Sequence, residues 1–198
     1  MTDIQVRLVE GAEREAALAV EEKIFREENY PYDYRQFDDQ SRVFGAFDGD
    51  ICIGALRMIG AGRHLPPFIT DCQLWHPEVP MALFHTGQLE ELGTVVVVEA
   101  SRSANIALEL YRAAFQTSRG LGVTHWGIVM EAERTEFLNT AIHTTFEQCG
   151  DIGFHDWAIP PYIMDLLEFE KNMHDCDPAF YAWATEGMIS APVYGEVL

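Results

Sequence analysis

The chain has 198 residues, 48% of them apolar and 12% aromatic, enough for a sizeable core, so one domain over residues 1–198 is the expectation. Its 13 Lys and Arg stand against 32 Asp and Glu, a net charge of −19 that repels nucleic acid and anionic lipid and argues against a role on either. Cys52, Cys72, Cys149 and Cys176 are scattered without paired spacing, which fits free thiols in a reducing compartment rather than a disulfide framework or a zinc site.

The first twenty residues carry acids where a signal peptide needs a positive region. No apolar run approaches a membrane span, so a soluble cytoplasmic protein is expected. "IQVRLV" alternates as a strand. "EREAALAVEEKIFREE" puts Ala17, Val20, Ile24 and Phe25 on one helical face, and a Pro/Tyr/Asp loop follows. Val43–Phe47 and Ile51–Ile59 read as hairpin arms around Asp48-Gly49-Asp50. Residues 60–90 hold four prolines and no clear period, which predicts an irregular insertion. Leu92–Val98 reads as a buried strand. Ala104–Ser118 reads as a helix with Ile106, Leu110, Tyr111, Ala114 and Phe115 inward, ended by glycines. Val123–Met130 is a further strand. Glu133–Gln148 is predicted helical, with Phe137, Leu138, Ala141, Ile142 and Phe146 inward. One or two closing strands follow, then a tail over 171–198 with one short aromatic helix. Helices alternating with strands imply an α/β sandwich on a mixed central sheet, with helices on both faces. The junction after "TVVVV" then lies at the carboxyl end of a central strand, where open α/β sheets bind ligands.

Four stretches carry a resemblance across residues 15–165. They are Phe25 followed by a Tyr/Pro loop and "FDDQSRVFGAFDGD"; "GALRMI"; "ELGTVVV"; and "CGDIGFHDWAIPPYIMDL". In this order they resemble the GNAT acyltransferase superfamily. Within it they resemble the acyl-homoserine-lactone synthases and the related N-acyl amino acid synthases, which join a long-chain acyl group from acyl carrier protein to an amino acid amine. The resemblance implies a GNAT-like sheet and an N-acyltransferase with a phosphopantetheine thioester as donor and no separate cofactor. It implies tyrosine as the favoured acceptor. An acetyl-coenzyme A-dependent acetyltransferase, a lactone-type signal synthase and a non-catalytic acidic module are the alternatives. Thr94 and Glu21 stand where the lactone synthases have arginines, which argues against lactone synthesis.

The resemblance also distributes roles. Glu91 takes the glutamate position, where a carboxylate at a strand end can accept the proton of an arriving ammonium. Arg57 takes the arginine position, to hold a substrate carboxylate in a two-pronged contact. Phe25, Tyr30, Tyr32 and Tyr34 are candidate walls of the acyl or aromatic pocket, with core or surface packing as the alternative, and Asp38 and Asp39 are candidates to face the ammonium, with a solvated loop as the alternative. Val95 and Val97 act through backbone, one N–H holding the thioester oxygen where the strand splays from its neighbour. The loop Glu99-Ala100-Ser101-Arg102-Ser103-Ala104-Asn105 lacks the acetyltransferase glycines. A pantetheine arm carries one phosphodiester, for which a helix N-terminus with Arg102, Ser103 and Asn105 suffices. Arg112 and Arg119, seven residues apart on that helix, offer a local basic patch for an acidic carrier. Trp157, Tyr162, Phe180, Tyr181 and Trp183 are an aromatic surplus for an acyl tunnel, or simply for a core. The seven histidines show no metal spacing, and no metal site is expected.

Overall fold

The computed structural model describes residues 4–30, 33–102, 104–154 and 159–188. The chain starts with strand β1 (Ile4–Leu8) and helix α1 (Gly11–Glu27). A 3-10 turn (Arg35–Gln40) leads to β2 (Ser41–Asp48) and β3 (Ile51–Ile59). Gly49 makes the hairpin turn with φ +59°, a conformation that suits glycine. Then come α2 (Pro67–Thr70), β4 (Cys72–Leu74), α3 (Glu78–His85) and the central strand β5 (Leu89–Val97). Next are α4 (Ala104–Gly120), β6 (His125–Val129), α5 (Ala132–Ala141), β7 (Glu147–Gln148), β8 (Gly150–Phe154), β9 (Pro161–Asp165), α6 (Leu166–Cys176) and α7 (Pro178–Thr185).

The mixed sheet runs β1-β2-β3-β5-β6-β9-β7. The β5–β6 pair is parallel and the others are antiparallel. Strand alternation sends neighbouring residues to opposite faces. Val43, Phe47, Ala55 and Val96 pack with Ala17 and Ile24 of α1. Phe44, Ala46, Leu56 and Met58 pack with Ile106, Leu110, Ala114 and Phe115 of α4. Helices therefore cover both faces, as expected.

Residues 60–90 correct the sequence reading. They form α2, α3 and β4, which pairs with the distant β8 in a two-stranded ribbon, around a cluster of Phe68, Ile69, Phe84 and Leu89. Two helices this short, each bounded by proline, leave no readable period. The helix predicted over 133–148 stops at Ala141. The Asn139 amide replaces its next turn: Oδ1 accepts from the Phe146 N–H and Thr144 hydroxyl, and Nδ2 donates to the Phe146 carbonyl. Phe146 reaches the core from an extended segment, whereas Phe137, expected inward, is 65% exposed. The predicted tail begins inside α6, which starts at an Asp165 cap, and α7 starts at an Asp177 cap.

Candidate functional site

The site grows from an interruption in β5. Against β3, Arg57 faces Thr94 and Met58 faces Leu92, so Gly93 is an extra, bulged residue. A Cβ on Gly93 would meet Ile59 at 3.2 Å and the Tyr34 ring at 3.4 Å, so glycine lets both pack here. A bulge bends its strand. On its other edge β5 pairs with β6 only from Leu89 to Glu91, ending at Glu91 opposite Gly127. Beyond that pair the two strands diverge, and a cleft of about 130 Å³ opens between them. Its walls include Gly93, Thr94, Val95 and Val96 of β5, Val129 at the end of β6 and Met130 after it, and Tyr30, Tyr111, Glu131 and Arg134. A strand left unpaired along one edge turns alternate backbone N–H groups outward there.

Glu91 stands at the vertex. It is 1% exposed and its Oε2 accepts the Phe68 N–H at 2.7 Å. Phe68 presses so closely that a Cβ on Gly127 would lie 2.6 Å from its ring. Burial pushes the Glu91 carboxyl up to about 8, against the lowering effect of the Phe68 bond. Glu91 is not part of the cleft wall. Tyr30 is, and its phenol is raised by burial and then by the nearby Glu131 and Glu91 charges, while its bond to Tyr34 opposes the rise. Glu90, on the opposite face of β5, is a structural anchor. It holds Arg42 and accepts from Ser118 Oγ at 2.7 Å, which in turn accepts from Trp126 Nε1 at 3.1 Å.

A second hollow of about 430 Å³ lies beside the cleft, between α1 and the 33–38 segment. Phe25 and Tyr30 belong to the walls of both spaces, their rings 4.6 Å apart. Arg57 forms part of this hollow's floor at 2% exposure, and here the expected role is corrected. Its guanidinium is already committed: Nη2 to Glu21 at 2.5 Å, Nε to Glu21 at 3.0 Å, and Nη1 to Asp38 at 2.6 Å. Thr94 also donates to Glu21. The two positions that depart from the lactone synthases therefore touch each other and wrap Arg57. Acids in this network outnumber the arginine, so it offers the hollow net negative charge rather than an open cation. Asp39 is exposed, and its neighbour Asp38 is the residue that faces Arg57. Tyr34 is buried and Phe25 half-buried, and both line the hollow with Tyr30; Tyr32 lies outside the described residues.

Val95 lines the cleft, whereas Val97 lies beyond its walls, its carbonyl accepting from Arg102 Nε at 3.2 Å. Arg102 also bridges to Glu28 at 2.7 Å and stays exposed at the junction before α4. Asn105 is exposed at the start of α4; Ser103 and Trp157 lie outside the described residues. The docking arginines need a correction. Arg119 Nε is 3.1 Å from the buried Glu170 of α6, and Arg112 lies over the Trp183 ring and pairs with Glu186. Both tie the C-terminal helices to α4 instead of presenting free charge. Arg119→Glu should therefore destabilise the fold by about 3 kcal/mol or more, because it sets two carboxylates together with little solvent. Thermal unfolding checks this; an unchanged Tm would restore the two residues to a surface role.

The four cysteines are free thiols, and burial pushes those of Cys72 and Cys149 up to about 12. Among the described residues no group of three or more His, Cys, Asp or Glu side chains is placed to hold a metal ion. No helix among them is long and apolar enough to cross a membrane.

No protein-family model and no curated protein matches the sequence. Solved structures do match. An N-acyl amino acid synthase from uncultured soil microbes, FeeM, superposes with a TM-score of 0.68 at 17% identity, over 86% of this chain and 94% of that one. The CoA-dependent acyl-homoserine lactone synthase MesI gives 0.56 at 19% identity, over 97% of this chain and 100% of that one. An acetyltransferase of the GNAT family from Staphylococcus aureus Mu50 gives 0.54 at 12% identity, over 83% and 99%. The chain has the GNAT fold. The β5–β6 divergence and the Gly93 bulge set the cleft beside the hollow, with Phe25 and Tyr30 as their shared wall and the buried carboxyl of Glu91 at the vertex.

Proposed function

We propose that the protein is an N-acyltransferase that joins a long-chain acyl group, carried as a thioester on acyl carrier protein, to the amine of an amino acid, with tyrosine favoured. The observation that carries this reading is the shared wall of Phe25 and Tyr30 between the β5–β6 cleft and the acidic hollow. A thioester in the cleft and an amine in the hollow would meet there. The amine nitrogen attacks the thioester carbonyl, the C–N bond forms, the C–S bond breaks, and the thiolate leaves to be protonated. A backbone N–H on the free edge of β5 suits the oxygen that becomes negative during attack.

The acceptor arrives as an ammonium and has to lose a proton before it attacks. The surplus carboxylate around Arg57 attracts the ammonium, and Glu91 takes the proton by way of Tyr30 or a water, since it does not itself line the cleft. The aromatic walls Phe25, Tyr30 and Tyr34 support an aromatic acceptor. The glycine-free junction after β5, with Arg102 beside the N-terminus of α4, supports a donor with one phosphodiester. Holding the two reactants in line supplies up to roughly 7–11 kcal/mol of the barrier for well-oriented pairs.

The test is incubation with hexadecanoyl thioesters of acyl carrier protein and of coenzyme A, and with acetyl-coenzyme A, each against the twenty amino acids and read by mass spectrometry. N-hexadecanoyl-tyrosine from the carrier donor is the expected dominant product. Acetylation alone, or no amide from any pair, overturns the reading.

A further inference from the structure

Behind the cleft, on the α4 face of the sheet, lies a third space. Phe115, Trp126, Leu138, Phe169 and Met173 form most of its wall, and Phe180 and Trp183 of α7 close it. Its free volume is about 30 Å³, room for about one water, so its walls stand nearly in contact. Apart from Arg112 and Thr144, its lining consists of apolar and aromatic residues. Such a space admits hydrocarbon and rejects a charged or hydrogen-bonding group, which would lose its water without replacement.

Among the described residues one lines both this cavity and the thioester cleft: Tyr111, two turns into α4. Its side chain is part-exposed by area, yet burial pushes its phenol up to about 12. Its ring stands between the two spaces as part of both walls. On the cavity's far side α7 is fastened to α4 by Gln116 Nε2, which donates to the Ala184 carbonyl at 2.8 Å and the Glu186 carbonyl at 3.1 Å, and by the Arg112–Glu186 pair. Ala184 is buried in the main core, and Phe180 and Trp183 pack against it, so making room in the cavity means displacing α7 from α4.

Resting on the acyltransferase reading, we propose that Tyr111 sets acyl chain length. Short chains end in the cleft at the Tyr111 ring. Longer chains pass it, enter the apolar cavity and raise α7 to make room. The ring acts by bulk and its hydroxyl is dispensable for this sorting. Tyr111 is thus a specificity-determining residue, and the α4–α7 cavity is the seat of the chain's distal end.

The experiment measures kcat/KM with butanoyl, octanoyl, dodecanoyl and hexadecanoyl pantetheine donors for wild type, Tyr111→Ala, Tyr111→Phe and Tyr111→Trp. Tyr111→Ala should favour hexadecanoyl over octanoyl by about tenfold more than wild type, Tyr111→Trp should reverse that preference, and Tyr111→Phe should leave it unchanged; shape changes of this size in apolar pockets move discrimination by that order. An unchanged length profile in both Tyr111→Ala and Tyr111→Trp overturns the assignment. Should the Ala variant fail to fold, Ala184→Leu fills the cavity from α7, and loss of dodecanoyl and hexadecanoyl transfer with butanoyl transfer retained carries the same meaning. A binding measurement on the wild type separates this failure from failure of the whole reading. Trp126 and Trp183 both line the cavity, so hexadecanoate should shift the tryptophan emission and butanoate should not. Equal responses to the two acids, or none, overturn the cavity as the chain's seat. A selective response without transfer of any acyl group to any amine leaves the hydrocarbon site standing and removes the acyltransferase reading and Tyr111's part in it.

Discussion

Arg57→Ala is expected to destabilise the protein by about 3–5 kcal/mol, the range found when one partner of a buried ion pair is removed and its counter-charge remains. The physical reason lies in what is left behind. Glu21 is 6% exposed and bound to Arg57 through both carboxylate oxygens, and Asp38 holds the other end of the guanidinium. Without the arginine, the two carboxylates of Glu21 and Asp38 lose their shared counter-charge, and among the described residues only Thr94 still donates to Glu21. For a domain of this size each kcal/mol lowers Tm by roughly 2–4 °C, so a fall on the order of 10 °C follows. Arg57→Lys should lose a smaller part, because one ammonium cannot span Glu21 and Asp38 at once. The companion variant Arg57→Met with Glu21→Met removes charge from both sides and should recover much of the loss. Urea unfolding of the single and double variants decides the matter. A loss below about 1 kcal/mol in Arg57→Ala would mean that water reaches these acids, as it does in exposed pairs.

This network shows where sequence reading stops. Arg57 was legible as a special residue in "GALRMI", and Glu21 and Thr94 as departures from the lactone synthases. Their mutual contact was not, because the three come from α1, β3 and β5 and meet only once the sheet has formed. The same holds for Arg112 and Arg119. Helical spacing put them on α4, but their partners Glu186 and Glu170 arrive from the far end of the chain. The hairpin, the central strand and α4 were readable because each buries a face at a steady period of two or 3.6 residues. The elements of residues 60–90 and the early end of α5 were not, because proline, with no N–H and a fixed φ, and the Asn139 amide, with its local bonds, end helices without leaving a period. The cleft had one signal that went unused. Gly93 stands inside the strand pattern of "ELGTVVVV", just before its β-branched run, and an isolated glycine in a strand pattern marks a bulge. Tyr111 read as one more apolar position of α4, and nothing local distinguishes a ring that fills a core from one that divides two cavities.

Replacing Glu91 by glutamine is expected to lower turnover by about 10²-fold or more while preserving the fold, the scale of losing a general base. The amide keeps the shape of the carboxyl and its acceptor oxygen for the Phe68 N–H, but cannot take a proton. The pH dependence separates this role from mere packing. The Glu91 carboxyl ionises near pH 8 in the folded protein, so wild-type kcat/KM should rise with pH and level off near that value. The glutamine variant should lose that rise. Stability should move the other way. At low pH folded and unfolded chains both hold the proton. Between the ordinary value near 4.5 and the folded value near 8, the unfolded chain has released it and the folded chain has not. Folding then binds a proton, and stability falls by up to about 1.4 kcal/mol per pH unit across that window before flattening above it. The stabilising contribution is complete below the unfolded value and gone once pH passes the folded one. Other acids add their own slopes, so the comparison is between wild type and Glu91→Gln: the difference in unfolding free energy should change steadily between pH 5 and pH 8, in favour of the glutamine variant as pH rises. Parallel stability curves for the two proteins would show that Glu91 is ionised throughout. Parallel kcat/KM profiles would remove its proton from the reaction.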